Sequence, residues 1–169
     1  MIRPILKFGD GPLHQAAGEV GSFTPDVLRL IDDMVETMYV APGIGLAAPQ
    51  VGAPLRIFVI DLSLGHKAGD LMVLVNPTFV EREGMQLEEE GCLSVPGFNA
   101  TVARPQRAVV KALDRGGQEQ IIEGKDLLAR AFQHEMDHLD GLLFLDRVRG
   151  IKRDLIVKKI RKLTRAGKW

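Results

Sequence analysis

Apolar residues recur at helical spacing in three parts of the chain, with strand-like runs between them. In TPDVLRLIDDMVETMYVAPG, the residues Val27, Leu30, Ile31, Met34, Val35 and Met38 share one face of a 3.6-residue period. Thr24 is placed as an N-cap and Pro25 takes the first helical position, where its missing N–H is not needed. Pro42 and Gly43 stop this helix near Tyr39. The stretch GIGLAAPQVGAP (43–54) has no polar face and too much Gly and Pro for regular structure. LRIFVID (55–61) and LMVLVNP (71–77) are β-branched runs closed by Asp, Asn and Pro, and they predict strands. Two more short extended segments are expected within FVEREGMQLEEEGCLSVPGF, and a hairpin in AVVKALDRGGQEQIIEG with its turn at Arg115, Gly116 and Gly117.

Helical period returns from Lys125 to Asp140, where Leu127, Leu128, Ala131 and Phe132 form an apolar stripe and Gly141 is a natural stop. A last helix is expected over Asp154 to Arg165, with Leu155, Ile156, Ile160 and Leu163 facing the body. Helix first, strands in the middle and helices last predict an α+β fold rather than an alternating α/β one. At 169 residues, 46% of them hydrophobic, the chain is sized for one domain over 1–169.

Composition narrows the function classes. Lys and Arg number 22 against 22 Asp and Glu, so no global field favours DNA. No apolar run reaches membrane-spanning length, and the start MIRPILKFGDGPL lacks the pattern of a secretory leader. The lone cysteine, Cys92, cannot form an internal disulfide. A soluble, cytoplasmic protein is the expectation, and a monomer. Charge is nevertheless uneven: ten of the basic residues and only one acidic residue, Asp154, lie between Arg147 and Trp169. A solvated helix face accounts for such a run; docking on ribosomal RNA is the sharper alternative.

The motif QHEMDH places His134 and His138 at i and i+4 of a helix, where two imidazoles can reach one metal ion. Glu135 is rotated by about 100° from His134, beside the ion but free to take a proton from water. A third ligand must come from elsewhere, the candidates being Cys92, His14, His66 and a carboxylate. Cys92 lies in a Gly-flanked turn that can present its sulfur toward a helix packed on the sheet. One sulfur and two imidazoles would leave a fourth position open, as in a catalytic rather than a structural site. Gly43 and Gly45 let backbone approach a ligand, and the Gln50 amide is a donor that can aim at a developing oxyanion.

Three blocks, GIGLAAPQ (43–50), EGCLS (90–94) and QHEMDH (133–138), closely resemble the signature blocks of peptide deformylases, in the same order and at fitting separations. The similarity runs from RPILKFGDGPL to the C-terminal helix. It implies antiparallel β-sheets packed around a central helix that carries the HExxH, with an N-terminal helix and a C-terminal amphipathic helix. It also implies that Cys92, His134 and His138 bind a divalent metal, Fe2+ in most members, with Zn2+, Ni2+ or Co2+ as substitutes. The implied reaction is removal of the N-formyl group from nascent polypeptides that begin with formylmethionine, releasing formate. Glu135 would be the general base, and Gln50 and the backbone N–H of Leu93 would hold the oxyanion.

Gly43, Ile44, Gly45, Leu128 and Phe132 are candidates for the methionine pocket, and Glu90 and Arg104 for an ion pair that fixes the Cys92 turn. Many bacterial relatives carry a basic residue a few positions after EGCLS; here PGFNATVARP places Asn99 there. Two other readings stand beside this one. A peptidase of the HExxH type would take its third ligand from downstream, where only Asp140, Asp146 and Asp154 are available; a non-catalytic metal-binding module would have no need of Glu135.

Overall fold

The computed structural model describes residues 1–169. Thr24 caps the first helix, α1 (Pro25–Val40), its hydroxyl accepting from Val27 N–H at 3.3 Å. Seven strands follow: β1 (Gly45–Ala47), β2 (Ile57–Ile60), β3 (Met72–Glu83), β4 (Gln86–Cys92), β5 (Val95–Arg104), β6 (Arg107–Leu113) and β7 (Glu119–Lys125). Two helices close the chain, α2 (Leu127–Leu139) and α3 (Ile151–Arg165). All strand pairs are antiparallel. Five strands form one sheet in the order β1-β2-β3-β6-β7, while β4 and β5 leave it as a separate ribbon between β3 and β6.

Period-two alternation explains why this sheet is covered on both faces. Along β2, Ile57 and Val59 pack with Leu30, Ile31, Met34 and Met38 of α1. Phe58 and Ile60 point the other way, onto Ala131, Phe132, Met136 and Leu139 of α2. Burying Phe132 completely contributes about 1.5–3 kcal/mol relative to leaving it in water. A third core joins the ribbon to the end of the chain: Val95, Ala100 and Val102 of β5 meet Phe144, Leu145, Ile156 and Ile160. No helix is long and apolar enough to cross a membrane.

Several elements differ from their sequence reading. GIGLAAPQ is not wholly irregular, because Gly45, Leu46 and Ala47 pair with Ile60, Val59 and Phe58. Pairing with a formed strand overrides the local Gly and Pro content. β3 does not end at Pro77. A bulge at Asn76 (φ 50°) carries it past the missing donor, and Asn76 is pinned by hydrogen bonds of 2.8 and 2.9 Å to the backbone of Val20. Leu127 is exposed rather than part of the stripe of α2. α3 starts at Ile151, and Leu155 is exposed while Val157 is buried. The hairpin turn is where the sequence put it, with Asp114 accepting from the N–H groups of Gly116 and Gln118.

The α+β class and the terminal helices hold, but the description of the fold by an HExxH site on a central helix needs correction. The group able to hold a metal is the triad Cys92, His134 and His138, which spans two elements. Two side chains one helical turn apart cover only one side of an ion. α2 lies with one face on the five-stranded sheet and another against the ribbon, so the site is a junction between helix and ribbon and not a motif of the helix.

Candidate metal centre

α2 turns Arg130, His134, Asp137 and His138 away from the sheet, since residues three, four and seven apart share a face. Gly141 (φ 79°) ends the helix; a Cβ there would meet the backbone of Gln15 at 2.8 Å. Opposite that face, β4 ends at Cys92, where the pairing register shifts after Gly91 and turns the sulfur toward the helix. Cys92 Sγ lies 3.4 Å from His138 Nε2, and one donor atom from each of Cys92, His134 and His138 falls within 4.8 Å of the others.

The surroundings suit a cation. His134 Nδ1 pairs with Glu90 Oε1 at 2.9 Å, which leaves Nε2 for a ligand and fixes the ring. Burial lowers the proton affinity of His134, but Cys92 and Glu90 outweigh it and hold the imidazole well above its ordinary value. Burial keeps His138 well below its ordinary value, with His134 and Arg104 adding to the effect, so its lone pair is available. Glu135 lines the cavity, and its Oε2 is buried without a hydrogen-bond partner. Burial pushes its carboxyl up to about 7, against the attraction of His134. A divalent ion beside it would oppose that push. One sulfur, two imidazoles and an adjacent unpaired carboxyl are the donor set of a catalytic site with an open position, and these residues fit a divalent metal.

Under the triad lies a buried ion network. Arg104 donates to both oxygens of Glu90 at 2.5 and 2.9 Å and to Asp137 at 2.9 Å. Arg130 donates to Glu90 as well, and Arg147 donates to both oxygens of Asp137. Burial opposes the charge on Glu90, yet His134 and Arg104 hold its carboxyl down to about 2. Arg130 and Asp137 were missed in the sequence. Their signal was position: both share the helical face of His134, where a charged side chain facing a packed ribbon must find a partner.

A cavity of about 720 Å³ opens beside the triad. Gly43, Ile44, Gly45, Gln50 and Leu93 line it; from α2 come Leu127, Arg130 and Ala131. Leu128 and Phe132 do not line it: they belong to the core between α2 and the sheet. A Cβ at Gly45 would lie 2.5 Å from Glu135 Oε1, so a side chain there would displace the Glu135 carboxyl. Gln50 is buried, its Oε1 accepting from Ala47 N–H at 2.9 Å and its Nε2 donating to Ser94 Oγ at 3.1 Å and toward Cys92 Sγ at 3.7 Å. Ser94 was another residue the sequence reading passed over. His14 and His66 are exposed and stand outside the triad. Asn99 is exposed on β5 across from Gly91.

Comparison with known proteins agrees with this centre. The family model described as Polypeptide deformylase matches residues 2–154. A peptide deformylase of Acidobacterium capsulatum is 50% identical over 169 residues, covering 100% of this chain and 99% of that protein. One from Thermodesulfovibrio yellowstonii is 49% identical over 160 residues, 95% of this chain and 97% of its own. The crystal structure of a peptide deformylase from Legionella pneumophila superimposes with a TM-score of 0.92 at 45% identity, covering 99% of this chain and 98% of that one. Similarity that runs the length of both partners, on a backbone that brings a sulfur and two imidazoles to one point, assigns the chain to the polypeptide deformylase family.

Proposed function

We propose that the protein removes the N-formyl group from newly made polypeptides beginning with formylmethionine, releasing formate, and that residues 1–169 form one catalytic domain. The observation that carries this reading is the triad beside the unpaired Glu135 carboxyl at the floor of a peptide-sized cavity. Cys92, His134 and His138 would hold the metal, Fe2+ being our choice in the cell, with Zn2+, Ni2+ or Co2+ accepted by the same ligands. When bound, a divalent ion would polarise the formyl carbonyl and make water a better nucleophile.

The chain's own residues do the rest. Glu135 takes the proton from the attacking water and passes it to the leaving amine. The Gln50 amide and the Leu93 backbone N–H aim at the oxygen on which charge develops. Gly45, having no Cβ, lets the Glu135 side chain lie against the backbone, and that carboxyl narrows the space at the formyl carbon. The methionine side chain seats among Gly43, Ile44, Leu127 and Ala131. β1 and β4 each have one edge without a strand partner, and the following residues of the substrate lie extended between those edges. Glu90 and Arg104 hold the Cys92 turn and His134 in place.

Formate release from formyl-Met-Ala-Ser and from the matching acetyl peptide tests the reading. Turnover of the formyl peptide alone is the expected result; equal turnover of both would contradict the small acyl site. We further propose a cytoplasmic location and contact with the ribosome through α3. Lys158, Lys159, Arg161 and Lys162 are exposed there while Ile156, Val157 and Ile160 point inward. Truncation after Arg149 is expected to abolish salt-sensitive co-sedimentation with ribosomes, and unchanged sedimentation would contradict it.

A further inference from the structure

The indole of Trp169 is the only tryptophan side chain in the protein, and it is not left in solvent. Its Nε1–H donates to the carbonyl of Phe8 at 3.0 Å, and its ring packs on Phe98 of β5 with centroids 6.1 Å apart. Lys7 Nζ lies 5.9 Å from the same ring. The segment it grips, Ile5 to Phe8, crosses the back of the site. Leu6 N–H donates to the Gln50 carbonyl at 2.7 Å, and Phe8 N–H donates to the Ser94 carbonyl at 2.9 Å. Ile5 lines the cavity itself.

Gln50 and Ser94 meet in turn through their side chains at 3.1 Å, and Ser94 N–H points at Cys92 Sγ at 3.4 Å. One continuous run of contacts thus joins the end of the chain to the two donors assigned above to the developing oxyanion. These are the Gln50 amide and the backbone of the Cys92–Ser94 turn, which includes Leu93. Outside this segment, nothing in the hydrogen-bond pattern ties the main-chain carbonyls of both Gln50 and Ser94 to one element.

We propose that Trp169 is a positioning residue for the reaction: it latches the segment Ile5–Phe8, and that segment sets the aim of Gln50 and of the Cys92–Ser94 turn. The inference rests on the proposed roles of Gln50 and Leu93. A donor that acts only on the developing charge changes kcat and kcat/KM by the same factor and leaves KM alone. The latch transmits its effect through those donors and shows the same signature. A residue that merely supported the fold would change stability or metal retention instead.

Trp169→Phe keeps a ring against Phe98 and removes the N–H; Trp169→Ala removes both. Kinetics on formyl-Met-Ala-Ser, bound metal per chain and Tm are measured for each, with Gln50→Ala alongside. The expected result for Trp169→Phe is a loss of about 2- to 10-fold in kcat and in kcat/KM together, the worth of one neutral hydrogen bond. KM and metal content stay at their original values, and Tm falls by no more than about 2–4 °C, the cost of the same bond to the fold. Trp169→Ala loses more in kcat, and Trp169→Phe alone decides the matter if the alanine variant does not fold. Wild-type rates in Trp169→Phe overturn the latch, as does a loss that follows a fall in metal content or that appears in KM rather than kcat. Gln50→Ala separates the two levels. A large loss there with wild-type rates in Trp169→Phe removes the latch and keeps the donor assignment. Wild-type rates in Gln50→Ala remove the donor assignment and the latch with it.

Discussion

Glu135→Gln protein is expected to keep its metal at one per chain and to lose about 10²- to 10⁴-fold in kcat on a formyl peptide. Gln matches Glu in shape, and Glu135 is not among the three residues whose donor atoms converge, so removal of its charge leaves the ligand set intact. What disappears is the group proposed to move the proton. Glu135 lines the cavity with one oxygen unpartnered, while Glu90, the other buried carboxylate in the lining, is bound by two arginines and His134. Metal analysis together with formate release on the same sample checks both halves. Substantial activity in the variant would mean that another group carries the proton. Metal loss would mean that Glu135 belongs to the ligand set.

Arg104→Met is the second large effect, and it reads out in stability first. The substitution removes three charge-assisted hydrogen bonds from buried carboxylates, two on Glu90 and one on Asp137. Breaking a buried network from one side costs about 3–5 kcal/mol. Arg130 still serves Glu90 and Arg147 still serves Asp137, which places the expected loss at the lower end. Because Glu90 orients His134, metal affinity should fall by about 10- to 100-fold as well.

The pH dependence has a definite sign. The folded carboxyl of Glu90 titrates near 2 against an ordinary value of 4.5, so its stabilisation is present above 4.5 and is lost as pH falls through the folded value. Urea unfolding should therefore show the widest gap between wild type and variant at neutral pH, narrowing below 4.5. A gap below about 1 kcal/mol at neutral pH would place the network among pairs whose desolvation cancels their attraction.

Elements whose causes are local were legible in the sequence. α1 carries its cap, its Pro and its stripe within sixteen residues, and the hairpin turn carries Asp114 and two glycines side by side. Elements with distant causes were not. Gly45 to Ala47 become strand only because Phe58, Val59 and Ile60 wait to pair with them, and β3 passes Pro77 only because Val20 holds the kink at Asn76.

The centre divides in the same way. His134, Glu135 and His138 announce themselves by spacing on one helix, whereas Cys92 is 42 residues upstream of His134, at the end of a strand of the ribbon. The core role of Phe132 and the cavity role of Leu127 follow from which side of α2 the sheet occupies, and the helical period does not contain that choice. Trp169 sits 161 residues from its partner Phe8, beyond the reach of any local pattern.

The most direct test of the account is a metal titration followed by activity. Protein stripped with a chelator under anaerobic conditions receives increasing amounts of a divalent ion, and formate release from formyl-Met-Ala-Ser is read at each step beside Cys92→Ala. No turnover is expected in stripped protein, then a rise that breaks at one ion per chain, with neither tight binding nor turnover in Cys92→Ala. Turnover in stripped protein, or full activity without the Cys92 sulfur, would contradict a reaction centred on Cys92, His134 and His138.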